Sequence, residues 1–435
     1  MTSTTGTVRD ATARRRPILR WGALLLATAL AVGCGAKTGL DLPDADAGEL
    51  PDGGIDAGPD AGLDAGVPCV EVPFDGGAIE VPLEIEAELA RADVLFLIDV
   101  TASMSEEIDQ IRGGLRDVIA PGIAETIPDS ALGVASFADF PEGMCGEAQD
   151  RPFELTVPIT TDLNRVQAAV DSLELGNGLD RPEAQVEALY QVATGEGIGT
   201  YVPPAFGCPS GGVGYPCFRS GALPVVLLFT DAPFHNGPGG SNPYRCGVTP
   251  PPATYPEATD ALNRLSIRVM GLYSGNGEGR GDILAVARDT GALEGDDPLV
   301  FDIGENGRRL SASVVEAIRT LADVIEFDVD TVLEDPDLTD DVDPREFVEA
   351  VVPLRAEPMD RIAGIDEETG TFLGVRAGTR IFFELRIRAE AIVPGREPRS
   401  FLLEIVFRGD RRTRLGSRLV QIVIPAEDGE GCEPR

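Results

Sequence analysis

Residues 94–105 read Val-Leu-Phe-Leu-Ile-Asp-Val-Thr-Ala-Ser-Met-Ser, with three oxygen-bearing side chains, Asp99, Thr101 and Ser103, at alternate positions where the apolar run stops. A loop of this kind gathers hard donors around a small divalent cation. Carboxylate and hydroxyl oxygens suit Mg²⁺, Mn²⁺ or Ca²⁺ rather than zinc or copper. The same spacing also suits a helix-capping loop, with Ser103 or Ser105 as the N-cap. An uninterrupted apolar run reads as a strand buried in a parallel sheet. In open α/β sheets ligands lie beyond the carboxyl ends of such strands, which is where the triplet sits.

The elements that must hold the triplet follow from periodicity. Between Asp93 and about Ile325, strand-like segments at 93–98, 131–137, 153–159, 224–230, 266–273 and 299–303 alternate with amphipathic helices. One helix carries Ile108, Ile111, Leu115 and Ile119; another Val166, Ala169, Val170 and Leu173; the last, 310–325, carries Val314, Val315, Ile318 and Leu321. The alternation predicts an α/β fold, a doubly wound and mostly parallel sheet, over residues 91–325. The stretch at 131–159 reads as a hairpin with an antiparallel edge strand. After residue 326 the period changes to two: Ile381, Phe383, Leu385 and Ile387 share one face, as do Phe401, Leu403, Ile405 and Phe407, and Leu419–Ile424 supplies another strand. This predicts an antiparallel β-sandwich over 326–435. Ile79, Val81, Leu83, Ile85, Ala87 and Leu89 repeat that signature, so residues 69–90 are expected to supply the sandwich's N-terminal strand, with the α/β domain inserted in the sandwich or followed by it.

The two ends of the chain bound its setting. Asp+Glu number 73 against 36 Lys+Arg, a net −37 at pH 7, which repels nucleic acid and favours cations and basic partners. In residues 1–34, Arg14, Arg15 and Arg16 precede an apolar run from Trp21 to Gly33, shorter than a membrane span. It reads as a secretion signal, and its end, Ala31-Val32-Gly33-Cys34, resembles the bacterial lipobox. That resemblance implies lipidation of Cys34 and a protein lipid-anchored in the cell envelope. Residues 35–68 form an acidic tether in which Asp-Ala-Gly recurs at Asp56, Asp60 and Asp64. With Cys34 assigned to lipid, Cys69, Cys145, Cys208, Cys217, Cys246 and Cys432 suggest three disulfides of open connectivity, and a shared sandwich would let Cys69 reach Cys432.

Four motifs in order make the α/β span more specific. Asp99-Val-Thr101-Ala-Ser103-Met104 resembles the D-x-S-x-S-M motif of von Willebrand factor A domains, with Thr101 replacing the first serine. Phe137-Ala-Asp139-Phe-Pro141 resembles the F-x-D-x-P of the inserted domain of integrin β-subunits, and Asp180-Arg-Pro182-Glu183 resembles its D-x-P-E-G, with Ala184 for the glycine. Phe229-Thr230-Asp231-Ala232 matches the last acidic element. The resemblance implies a metal-ion-dependent adhesion site of Asp99, Thr101, Ser103, Glu183 and Asp231 holding Mg²⁺ or Mn²⁺. It also implies a second site for Ca²⁺ from Asp139, Asp180, the Pro182 carbonyl and Glu183, and a third involving Glu106 and Glu107. The family's asparagine ligand of the second site falls at Gly178, with Asn177 beside it.

The expected function is therefore non-catalytic: capture of a protein ligand through one of its Asp or Glu carboxylates. A helix directly after the ligand loop, Met104–Val118, suggests by the same resemblance a shift coupled to ligand. A scaffold in which metal serves only the fold is the alternative, with a metal-assisted hydrolase behind it. His235, the sole histidine, reads as a solvated loop residue, with a general base beside metal-bound water as the other reading. Arg280-Gly281-Asp282 reads as a turn with Asp282 as an N-cap, and no phosphate-binding loop followed by Lys occurs.

Overall fold

The computed structural model describes residues 67–72, 77–304, 306–339, 342–388, 395–429 and 431–432. The signal segment, Cys34 and the tether up to residue 66 lie outside the described residues. Two short stretches of chain lead in: β1 (Cys69–Glu71) and β2 (Ala78–Ala87). The α/β region then runs β3 (Arg91–Asp99), α1 (Ser105–Gly114), α2 (Ala120–Thr126), β4 (Asp129–Phe137), β5 (Glu154–Thr160), α3 (Leu163–Asp171) and α4 (Gln185–Thr194). It continues through β6 (Leu223–Thr230), α5 (Tyr255–Arg264), β7 (Arg268–Tyr273), α6 (Arg280–Asp289), a small hairpin of β8 (Leu293–Glu294) and β9 (Asp297–Pro298), β10 (Val300–Asp302) and α7 (Leu310–Val324).

Its sheet has the order β10-β7-β6-β3-β4-β5, parallel throughout except for β5, which runs antiparallel to β4 as the hairpin reading expects. From β3 the chain goes to β4 on one side and later to β6 on the other, so the switch point lies where β3 and β6 end. Residues 92–99 of β3 and the whole of β6 are buried, because helices cover both faces. Phe96 and Ile98 pack toward α1, α3 and α7, while Leu95 and Leu97 pack toward α4, α5 and α6.

The helix expected over 104–118 is not one straight α-helix. After α1 the segment Leu115–Ile119 winds as a π-turn in which the Ala120 N–H bonds to the carbonyl of Leu115, five residues back, and α2 follows. Two features favour the break. Gly113 and Gly114 weaken the helix, and Pro121 has no N–H to continue the ladder. Gly114 also meets α7 so closely that a Cβ there would lie 2.1 Å from Ser311 Oγ.

The period-two segments form β11 (Glu326–Glu334), β12 (Val348–Glu357), β13 (Gly364–Asp366), β14 (Thr371–Arg376), β15 (Thr379–Arg388), β16 (Arg399–Gly409) and β17 (Thr413–Ile424). They build one sheet of order β1-β17-β16-β11-β14-β13 and another of order β12-β15-β2. Strand β2 pairs antiparallel with β15 from Ala78↔Arg388 to Ala87↔Thr379, so segments on either side of the α/β region share a sheet. Val81, Leu83, Ile85 and Ala87 turn inward against exposed Glu80, Pro82, Glu84 and Glu86. Phe383 of the smaller sheet meets Phe372 and Phe407 of the larger at ring-centroid distances of 5.0 and 5.3 Å. Three disulfides join Cys69 to Cys432, Cys145 to Cys246 and Cys208 to Cys217.

Candidate metal centre

Asp99 is the last residue of β3, and the register that pairs Ile98 with Phe229 brings Asp99 alongside Thr230, the last residue of β6. Its carboxylate is fully buried and held on both oxygens. Oδ1 accepts from the Thr101 backbone N–H at 3.0 Å and from Thr101 Oγ1 at 2.7 Å, and Oδ2 accepts from Thr230 Oγ1 at 2.8 Å. The Asx-type turn that results presents Thr101 Oγ1 3.4 Å from Ser103 Oγ, which in turn donates to Asp231 Oδ1 at 3.1 Å. Four of the five residues expected at the primary site are thus linked in one chain of oxygens at the switch point.

The fifth, Glu183, arrives on a loop stitched in from both sides. Its N–H bonds to the Pro233 carbonyl, its own carbonyl accepts from the His235 N–H, and the Ala184 N–H bonds to the Ala138 carbonyl. Glu183 is 4% exposed, and its Oε2 is buried without a hydrogen-bond partner. Burial, and after it the charges of Asp99, Asp139, Asp180 and Asp150, hold the Glu183 carboxyl well above the usual range. For Asp99, burial and then the charge of Asp231 push the carboxyl up to about 7. Among the described residues no arginine, lysine or histidine lies within ion-pair distance of Asp99, Glu183 or Asp231. A buried carboxyl takes up a proton unless it is paired or metal-bound, and these raised values are the mark of carboxyls without a cation. The donor set, carboxylates and hydroxyls with one orphaned oxygen, therefore fits a hard divalent cation of the Mg²⁺ or Mn²⁺ kind.

Residues that sequence reasoning passed over support this arrangement. Gln185 is fully buried and donates from Nε2 to Thr230 Oγ1 at 3.0 Å, fixing the hydroxyl that holds Asp99. Asp150 is buried and accepts from the N–H groups of Glu147, Asn177 and Gly178, at 2.7, 3.3 and 3.2 Å, which sets the loop that leads to Glu183. No local pattern marks either residue. Gly178 adopts φ +60°, and a Cβ there would lie 2.4 Å from Glu183 Oε1, so the missing side chain is what gives Glu183 its place. Asn177 points away, donating to Glu147 Oε2 at 2.9 Å.

Beside this centre lies a second cluster. Asp139 and Asp180 converge as expected, but so does His235, which corrects the reading of that residue as solvated. The ring is 3% exposed, stacks on Tyr244 with centroids 4.0 Å apart, and places Nδ1 2.9 Å from the Asn242 carbonyl. Its Nε2 lies 3.2 Å from Asp139 Oδ2 and 3.3 Å from Asp180 Oδ1. Burial alone would depress the imidazolium, yet the Asp139 carboxylate, with help from the Asn242 carbonyl and Asp180, holds its pKa above the ordinary value. The loop folds beneath its neighbours through long-range contacts that spacing does not encode.

The expected third pair divides. Glu106 is exposed on α1, whereas Glu107 is buried with Oε2 unpartnered, and burial raises its carboxyl above the usual range. Asp282 is not an N-cap, because α6 already begins at Arg280 behind Gly279. Its Oδ2 instead accepts from the Phe234 N–H at 3.0 Å, anchoring the loop between Asp231 and His235.

Two solved structures are similar at a distance. A von Willebrand factor type A protein from Catenulispora acidiphila matches 83% of this chain and 72% of its own at 11% identity and a TM-score of 0.37. Proximal thread matrix protein 1 from the mussel byssus matches 57% of this chain and 51% of its own at 14% identity and a TM-score of 0.33. Superpositions this loose assign neither family nor ligand. No protein-family model matches the chain, and no curated protein does.

Proposed function

We propose that this protein is a lipid-anchored cell-envelope protein of the von Willebrand factor A type, closest to the integrin β inserted domain. On this reading it binds a protein ligand through a divalent cation held by Asp99, Thr101, Ser103, Glu183 and Asp231. The proposed organisation is a lipidated Cys34, the acidic tether, and an α/β domain carried within a β-sandwich. The observation that carries the reading is the oxygen chain from Asp99 to Asp231, beside the orphaned Glu183 Oε2 and with no side-chain cation in reach among the described residues.

When bound, Mg²⁺ or Mn²⁺ would supply an electrophilic coordination position that accepts a carboxylate oxygen from the partner. The chain's own residues do the rest. Asp99 is fixed by Thr101 and Thr230 and cannot swing to meet a ligand, while Ser103 is exposed and marks the open side. Thr101 and Ser103 contribute oxygens without charge, which leaves the site able to take one more carboxylate. Exposed apolar side chains adjoin the neighbouring Asp180 cluster: Leu179 precedes Asp180, and its N–H bonds to the carbonyl of Cys145, next to Met144, which is 73% exposed. Apolar surface beside a charged centre suits a protein partner more than a small anion. The three disulfides support an oxidising compartment.

To test this, envelope extract is passed over immobilised wild type and Asp99→Ala in Mg²⁺. The reading expects a protein retained by wild type alone and released by chelator. Equal retention by both, unaffected by chelator, contradicts it. A scaffold whose metal serves only the fold would instead lose melting temperature in chelator and release nothing.

A further inference from the structure

We infer that Asp139, Asp180 and His235 form a separate binding site for a borderline transition-metal ion of the zinc class. The ligand atoms of these three residues and Cys145 all lie within 4.8 Å of one another. Cys145 is bonded to Cys246, so it offers no thiolate and acts as a wall.

Three observations point to an ion between the remaining donors. The first is the orientation of His235. A backbone carbonyl only accepts, so Nδ1, 2.9 Å from the Asn242 oxygen, carries a hydrogen, and Nε2 faces the two carboxylates with a proton that a bound ion would displace. Metal-binding histidines are oriented in this way, the second N–H given to a carbonyl. Stacking on Tyr244 holds the ring in that direction.

The second is spacing. Close imidazolium–carboxylate hydrogen bonds are about 2.7–2.9 Å long, and here Nε2 stands 3.2 Å from Asp139 Oδ2 and makes a longer hydrogen bond of 3.3 Å to Asp180 Oδ1. Ligands around a tetrahedral ion with bonds of about 2.0–2.1 Å stand about 3.3–3.4 Å apart.

The third is an orphan. Asp139 is fully buried, its Oδ1 accepts from the Phe140 N–H at 2.7 Å, and its Oδ2, aimed at His235, has no hydrogen bond of good geometry. Asp180 is the exposed member, so the remaining coordination position opens to solvent on its side. One imidazole nitrogen with two carboxylate oxygens suits Zn²⁺, Co²⁺ or Mn²⁺ and disfavours Ca²⁺, which takes oxygen alone. The all-oxygen Ca²⁺ site that the sequence resemblance implies thus does not fit this cluster.

The test titrates ZnCl₂ calorimetrically into the full chain in saturating Mg²⁺. The expected result is one Zn²⁺ per chain, not displaced by Ca²⁺, and weakened at least about 100-fold in His235→Gln, beyond the usual cost of losing an orienting partner. Asp99→Ala should retain this Zn²⁺, which separates the inference from the Mg²⁺ reading. No Zn²⁺ uptake by wild type, unchanged uptake in His235→Gln, or displacement by Ca²⁺ would each overturn it. If His235→Gln fails to fold, Co²⁺ added to wild type decides: tetrahedral visible bands support the site, and their absence overturns it.

Discussion

Strand β3 begins and ends near a buried aspartate, and the two ends are treated in opposite ways. At the start, Asp93 receives the Arg219 guanidinium at 2.7 Å, and Arg219 also reaches Asp129 of β4 at 2.7 Å while Arg91 closes the other side. At the finish, Asp99 has hydroxyls and a backbone N–H but, among the described residues, no side-chain cation, with Asp231 and Glu183 adding negative charge. Burying a carboxylate is costly at both places. The first end meets that cost from within the chain and is finished as a structure. The second leaves it to an ion, which is how a site differs from a strut on one and the same strand.

The sharpest way to break the contrast is to remove the internal cation. Arg219→Met leaves Asp93 buried and unpaired, and should cost about 3–5 kcal/mol in urea denaturation without altering Mg²⁺ affinity. The pH response should also differ in sign between Asp99 and Asp129, the carboxylate that shares Arg219 with Asp93; Asp93 itself is raised by burial, which outweighs the lowering by Arg219. Asp99 titrates at about 7 in the fold against an ordinary 3.8. Its contribution in cation-free protein is therefore full below about pH 4 and is lost as pH rises through 7, an effect of about 4 kcal/mol. Melting temperature without metal should fall over that range, and Mg²⁺ should restore it most at the alkaline end. Asp129 behaves oppositely. Burial would raise it, but Arg219 and Arg91 bring it below 3.8, so its contribution is present above that pH and is lost on acidification. A cation-free protein whose melting temperature rises steadily from pH 5 to 8 would refute the assignment at Asp99.

Two smaller effects sharpen the comparison within the site. Gly178→Ala should destabilise by about 1–3 kcal/mol, since φ +60° is strained for alanine, and the new Cβ would collide with Glu183 Oε1. Mg²⁺ affinity should fall with it, whereas a glycine with only a turn to make would leave affinity intact. Gln185→Leu should weaken Mg²⁺ about 10-fold, the loss expected for an orienting partner, because Thr230 then loses the donor that directs its hydroxyl to Asp99. Calorimetry reads both.

What the sequence revealed and concealed follows the range of the interactions. The Asp99 to Ser103 spacing is a local fact, and the strand before it is apolar enough to be unmistakable. Glu183 and Asp231 lie far along the chain and are reached only through motif resemblance; Asp231 accepts from Ser103, and Glu183 lies near enough to Asp99 for their charges to interact. The period-two pattern of Ile79 to Ala87 likewise anticipates the strand that pairs with β15. Gln185, Asp150 and the buried His235 each act through at least one distant contact, such as Gln185 with Thr230, Asp150 with Asn177 and His235 with Asp139. A polar residue read alone gives no sign of such a partner. Nor did Asp93 stand out, since an acidic residue at the head of an apolar run reads as its boundary rather than as half of a buried ion pair.

The central claim is that the carboxyl end of β3 is completed by a cation that the chain does not supply. Isothermal titration of Mg²⁺ into wild type and Asp99→Ala at pH 8 addresses it most directly, with Arg219→Met as the control from the other end of the strand. The account predicts saturable Mg²⁺ uptake by wild type and Arg219→Met and none at that site in Asp99→Ala. Equal Mg²⁺ affinity in wild type and a folded Asp99→Ala protein would contradict it.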